Sequence, residues 1–275
     1  MAEPGPPGIE RVLPFGAMRQ SWEARRAAGA FLRHARLEPG VGTGRYPFTL
    51  PVVARLAAGD GLDLDSSVTF LVGENGTGKS TLVEAIGTAA GFNPEGGSQS
   101  FRFTTRATES SLGDHLILRW NRRPRTGFFL RAESYYNVAS EIERLDEDPY
   151  SPSLLPAYGG VSPHERSHGE SFLDLAIHRF GPRGLYVLDE PEAALSVRGC
   201  MALLARLAEL AAQGSQIIIA THSPVLLALP GARILEIDED GAINTTDYDH
   251  ALPVRFTRDF LASPDKYLRH LLDER

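Results

Sequence analysis

Gly73-Glu-Asn-Gly-Thr-Gly-Lys-Ser80 matches the spacing G-x-x-x-x-G-K-[ST] without a mismatch. Glycines at those positions let the backbone curl so that several N–H groups face one anion. The N-terminus of the helix expected to follow adds partial positive charge at the same point. Lys79 has the length to reach the β- and γ-phosphates of a nucleoside triphosphate, and the Ser80 hydroxyl suits Mg2+. Gly73, Asn75, Gly76, Thr77, Gly78, Lys79, Ser80 and Thr81 are therefore the expected phosphate-binding set. The bland alternative is a glycine-rich turn with an incidental Lys-Ser. It leaves unexplained why a buried-strand pattern, Val68 to Val72, precedes the loop and a helical one, residues 79–90, follows it.

Two further groups suit chemistry on a bound triphosphate. Asp189-Glu190 follows the apolar run Leu185 to Leu188, at the end of a strand where ligands of an open parallel sheet collect. Asp189 is suited to hold Mg2+, and Glu190 to orient and deprotonate an attacking water. On its own, such a pair is equally a solvated strand end. His222 follows a third apolar run, Gln216 to Ala220, and so is expected at the same edge, within reach of the γ-phosphate or the water.

These strands alternate with helices at 79–90, 169–180 and 197–213, which predicts a parallel sheet covered on both faces. Ser196 reads as the N-cap of the last of these, with Met201, Leu204, Leu207 and Ala211 as its apolar face. Around this frame, Phe31–Leu37 and Tyr46–Leu50 read as extended pieces. Residues 116–120 and 127–131 read as two strands joined by a basic turn, and 137–147 as a helix. Residues 148–166 read as a Pro-rich loop, and the acidic segment after Ala232 as a hairpin turning at Asp240-Gly241. Residues 1–25 are expected to form a loose arm before a single domain spanning 26–275, with a helical lobe at about 134–180.

With 42% hydrophobic and 23% charged residues among 275, a sizeable core is expected. No run is long and apolar enough for a membrane span, so no membrane insertion is expected. The N-terminus lacks the pattern of a secretory signal. A single cysteine, Cys200, fits a cytoplasmic protein. A net charge of −7 argues against coating nucleic acid through bulk charge. Arg119, Arg122, Arg123 and Arg125 gather at one turn, where they read either as phosphate contacts or as a solvated hairpin tip.

The order and spacing of these motifs resemble the ABC-type ATPase superfamily. Ser167-His-Gly-Glu-Ser171 looks like its signature motif, with Ser167, Gly169 and Glu170 expected to touch the γ-phosphate held by another subunit. By its own residues the segment is also a capping box that only starts a helix. Glu192 to Ser196 lies at the family's D-loop, with Ser196 where many members have aspartate, and His222 matches the switch histidine. Glu133, after the strand 127–131, is placed to substitute for the family glutamine; Gln99 follows no strand. Tyr46 either stacks on adenine as the family's upstream aromatic does or packs in a strand.

The resemblance implies an α/β P-loop NTPase of ABC type, with a mostly parallel central sheet, an antiparallel β subdomain and a small helical lobe. It implies ATP and Mg2+ as cofactors. It looks most like small soluble "AAA family" ATPases near the SMC and RecF group. Three functions compete. One is a stand-alone ATPase that dimerises around ATP and drives a separate effector protein or a nucleic-acid process such as repair or defence. The others are the nucleotide-binding subunit of a membrane transporter, and a switch that binds ATP without hydrolysing it.

Overall fold

A computed structural model of the chain describes residues 30–42, 44–59, 61–98, 112–146 and 168–272. The expected arm at 1–25, Gln99, the Pro-rich stretch 148–166 and Ser167 lie outside the described residues.

Among the described residues, nine strands form two sheets. Strands β3 (Val68–Gly73), β5 (Thr126–Arg131), β6 (Gly184–Asp189), β7 (Gln216–Ala220), β8 (Arg233–Ile237) and β9 (Ile243–Thr246) make a sheet of order β5-β6-β7-β3-β8-β9. All its pairs are parallel except the β8–β9 hairpin at one edge. Strands β3, β6 and β7 are buried at every position, as apolar runs between two covering layers should be. Phe70, Val72 and Leu188 face one cluster with Phe172 and Leu207 from the helices. Leu71 and Val187 face a second with Leu82 and Ile86 of the helix Lys79–Ala89.

A smaller antiparallel sheet, β2 (Leu62–Asp63), β1 (Leu32–Leu37) and β4 (Leu116–Trp120), closes over that second cluster. Gln216, 1% exposed, stitches the two sheets together. Its side-chain oxygen accepts from Leu32 N at 2.8 Å, and its Nε2 donates to the carbonyls of Leu32 at 2.8 Å and Leu64 at 2.9 Å. Three backbone groups from the smaller sheet and its exit thus find partners on one buried amide.

Four local expectations change. Tyr46–Leu50 is a turn rather than a strand. It leads into the helix Pro51–Ala58, which starts on a proline whose fixed φ suits a first helical position. Residues 116–120 and 127–131 do not form a hairpin, because β4 pairs with β1 and β5 with β6. Strand β4 keeps solvated positions, as a one-sided antiparallel strand does, whereas Phe128, Phe129 and Leu130 are all buried. At the basic turn between them, two of the four arginines cover aromatic rings: Arg122 lies 4.7 Å from the Phe31 centroid and Arg123 4.2 Å from that of Trp120. The helix Val197–Ala212 buries Cys200, Leu203, Leu207 and Leu210, leaving Met201 56% exposed. Leu204 and Ala211 pack only partly, so the apolar stripe is rotated by about one residue from the expected one. Ser196 does cap this helix, its hydroxyl accepting from Gly199 N at 3.1 Å.

Gln216→Leu should cost about 2–4 kcal/mol, since it leaves buried N–H and C=O groups unpaired while adding little apolar contact. Urea denaturation measures it. A loss within about 0.5 kcal/mol, the range of ordinary surface changes, would show that the amide does not join the sheets.

Candidate functional site

The three expected groups meet at one edge of the parallel sheet. Strands β6, β7 and β3 are neighbours, with Asp189 paired to Ala220 and Ala220 to Leu71, so their C-terminal ends lie side by side. The loop Gly73–Gly78 leaves β3 there and the helix Lys79–Ala89 begins. Its tight path requires glycine at two places. Gly73 (φ 151°) would set a Cβ 2.5 Å from the Ile237 carbonyl, and Gly78 (φ 95°) would set one 2.7 Å from Val52 Cγ1. Inside the loop, Thr77 Oγ1 and Lys79 Nζ each donate to the Glu74 carbonyl at 2.9 Å. Asn75 and Gly76 are exposed at the loop's crest, while Gly78, Ser80 and Thr81 are half-buried.

Lys79 is buried, and burial pulls its pKa down; the nearby carboxylates, Glu190 and Asp189 foremost, oppose that. Asp189 is 5% exposed, and burial pushes its pKa up to about 6. A hydrogen bond from Ser80 and the charge of Arg131 work against that rise, while Glu190 and Glu133 add to it. Asp189 Oδ1 is buried without a hydrogen-bond partner. An orphaned carboxylate oxygen beside a serine hydroxyl is a donor set suited to a hard cation such as Mg2+.

Glu190 adopts a left-handed backbone, φ 45° and ψ 52°, which is uncommon for a residue with a side chain and recurs at functional sites. Its N–H donates to the Ala220 carbonyl at 2.9 Å, which holds that kink against β7. Its Oε1 lies 3.7 Å from His222 Nε2, a buried nitrogen without a hydrogen-bond partner. The two residues assigned to water and γ-phosphate chemistry are thus brought together.

The remaining expected residues are placed as follows. Glu133 follows β5, exposed, with Oε1 2.6 Å from Arg131 Nη2. Gly169 and Glu170 open the helix His168–His178, and a Cβ at Gly169 would meet the Ala194 carbonyl at 3.0 Å. That end of the helix therefore packs on the turn Pro191–Ala194 of its own chain. Tyr46 is 68% exposed in its turn, so the strand-packing alternative does not hold.

Two residues at the site have contacts that the motifs do not predict. Glu192 Oε1 accepts from Thr221 Oγ1 at 2.8 Å and from His222 N at 2.5 Å, tying the turn after Glu190 to the segment carrying the histidine. Arg131 touches Glu84, Glu133 and Asp189. Glu192 opens the stretch at the D-loop position, two residues past Glu190, but nothing there points to its contacts; Arg131, two before Glu133, has no sequence signal of its own.

A raised carboxyl pKa means that the folded state pays to ionise Asp189. Stability contributed at low pH is therefore lost as pH rises from about 4 to about 6, and the loss persists above. Asp189→Asn should stabilise the nucleotide-free protein at pH 7.5 by on the order of 2 kcal/mol. The gain should shrink as pH falls from 6 towards 4. Denaturant melts across that range test it, and a gain independent of pH would contradict the account.

A family model described as "AAA domain, putative AbiEii toxin, Type IV TA system" matches residues 156–228, and one described as "AAA domain" matches residues 58–125. The macrolide export ATP-binding/permease protein MacB of Hahella chejuensis is 31% identical over 198 residues, 63% of this chain and 28% of that protein. The pyoverdine export ATP-binding/permease protein PvdT of Pseudomonas entomophila is 28% identical over 204 residues, 67% of this chain and 30% of that protein. The chain thus spans under a third of the length of these curated relatives. The solved structure of cbiO1 from Clostridium perfringens, part of the ABC transporter complex cbiONQ, aligns at 15% identity with a TM-score of 0.47 over 88% of this chain and 99% of that one. That likeness is too loose to bear on function. The phosphate loop, the Asp189-Glu190 pair and His222 on adjacent parallel strand ends, together with these matches, support an ATPase of the ABC-type superfamily.

Proposed function

We propose that this chain binds ATP with Mg2+ and hydrolyses it, that two copies close head-to-tail around two nucleotides, and that the closure drives a separate effector protein. The observation that carries the reading is the convergence of Lys79, Ser80, Asp189, Glu190 and His222 on the ends of three adjacent strands. Lys79 has a carbonyl as its hydrogen-bond partner, which a phosphate oxygen can replace with a stronger, charge-assisted one. Ser80 and Asp189 would hold Mg2+, which supplies positive charge to the phosphate oxygens. Glu190, exposed enough to meet a water, takes its proton, and His222 lies beside it to hold the γ-phosphate side. The backbone at Gly169 and Glu170, in the first turn of a helix, suits an anion presented by a second copy.

A second reading, the nucleotide-binding subunit of a membrane transporter, is favoured by the relatives, whose names describe ATP-binding/permease proteins. The toxin–antitoxin description over residues 156–228 favours an effector that is not a permease. Among the described residues no helix is long and apolar enough to cross a membrane, so any permease would have to be supplied from outside them. Arg122 and Arg123 cover aromatic rings at the turn expected to meet phosphates, which favours a protein effector over nucleic acid.

Lys79→Ala should abolish ATP binding. Glu190→Gln should keep it and lose turnover by about 10²-fold, the scale of general-base catalysis. The Glu190→Gln protein in ATP should run as a dimer on sizing chromatography, and the native rate per subunit should rise with protein concentration. Parent-level turnover by Glu190→Gln would remove the assigned base, and a concentration-independent rate from a monomer would remove the dimer. Affinity capture with the same substituted protein separates the two readings: recovery of a permease supports the transporter, and recovery of a protein without membrane spans supports the separate effector.

A further inference from the structure

Arg131 ends β5, directly opposite Asp189 in the sheet register. Its guanidinium reaches carboxylates on three separate elements. Nη1 lies 3.2 Å from Glu84 Oε2, on the helix that follows the phosphate loop, and Nη2 lies 2.6 Å from Glu133 Oε1. Nε lies 3.5 Å from Asp189 Oδ2. The arginine side chain is 18% exposed, and its Nε is buried without a hydrogen bond. Glu84 stands four positions after Ser80, one turn along the same helix face. One cation therefore stands among three carboxylates, one of which, Asp189, would hold Mg2+ together with Ser80. Among the described residues, no three His, Cys, Asp or Glu side chains are gathered as a metal site.

We propose that Arg131 is a positioning residue that stands between Glu84, Glu133 and Asp189, hydrogen-bonds the first two, and keeps those carboxylates from closing on a divalent cation before nucleotide arrives. The proposal rests on Ser80 and Asp189 as the metal-holding residues. Three carboxylates left facing one another repel, and they relieve that repulsion by binding a divalent cation or by taking up protons. The guanidinium removes the need for either. With Arg131 in place, the cation gains its affinity from nucleotide phosphates together with Asp189 and Ser80, so metal and nucleotide enter together. A fork with several donors in one plane holds Glu84 and Glu133 at once with its charge beside Asp189, whereas a lysine ammonium, a compact point charge, cannot span the three.

The test measures binding of Mn2+, by its electron paramagnetic resonance signal, to the full chain with and without ATP. The Glu190→Gln background is used so that ATP is not consumed. The parent chain should bind Mn2+ with ATP and only weakly without it. Arg131→Ala, and Arg131→Gln as a variant of closer size, should each bind Mn2+ without nucleotide at least about tenfold more tightly than the parent. Both should still bind ATP in the presence of chelator, which shows an intact fold and phosphate loop. Arg131→Lys should resist Mn2+ alone as the parent does, and in the otherwise native chain it should lower kcat more than it raises KM. If the parent binds no Mn2+ with ATP, the metal-holding role of Ser80 and Asp189 fails. If it does, and both neutral variants match the parent without nucleotide, Arg131 is only structural and the proposal is overturned.

Discussion

The site brings an ammonium and a carboxylate out of water at the end of a parallel sheet, and the surrounding architecture follows from that cost. Lys79 and Asp189 are both among the buried charged residues. An isolated buried charge is expensive unless it is paired and hydrogen-bonded. The compensation is visible around each. Lys79 has the Glu74 carbonyl and the field of Glu190 and Asp189. Asp189 has the Ser80 hydroxyl and Arg131, yet still keeps an unpartnered oxygen and a raised pKa. A site left short of partners is pre-arranged for ligands that complete it, because it need not be reorganised when they bind. The same logic accounts for Glu190, whose left-handed backbone is held by a hydrogen bond to β7 rather than by preference of the residue.

Holding such a site requires that the strand ends not shift. Both faces of the parallel sheet are covered, and the smaller antiparallel sheet is fastened to it through Gln216. That amide sits at the start of β7, and the same strand delivers His222 at its other end. A polar side chain at the sheet's far end therefore serves register: it specifies one seating of β1 on β7, which a purely apolar contact would leave free to slide.

The parts legible in the sequence are those whose partners are close along the chain. The phosphate loop is one contiguous turn, and Asp189-Glu190 and His222 each sit at the end of an unmistakable apolar run. Their strands were located correctly, and so was the Ser196 cap. What escaped depends on distant partners. Gln216 bonds a residue 184 positions away, Arg131 pairs with Glu84 across 47, and Glu192 reaches Thr221 across 29. The split of β4 and β5 between two sheets was hidden for a related reason. Two short β-rich runs separated by a turn read as a hairpin, and only burial on both sides of Phe128–Leu130 assigns the second to the parallel sheet. The rotated stripe on Val197–Ala212 shows the limit of spacing arguments: two sets of apolar residues both kept 3–4 spacing, and packing against the sheet chose between them.

Gly169, in the stretch resembling a signature motif, packs within its own subunit. Gly169 lies close against the Ala194 carbonyl, and the turn Pro191–Ala194 carries Glu192, whose carboxylate grips Thr221 and the His222 backbone. The start of the helix His168–His178, the turn after Glu190 and the histidine segment are thus one packed unit. A side chain added at Gly169 would press on Ala194 before it met any second copy. In such a unit the helix start is linked to the peptide of His222 through the turn Pro191–Ala194 and Glu192. Contact made there by another subunit would therefore be felt beside Glu190, by way of Glu192.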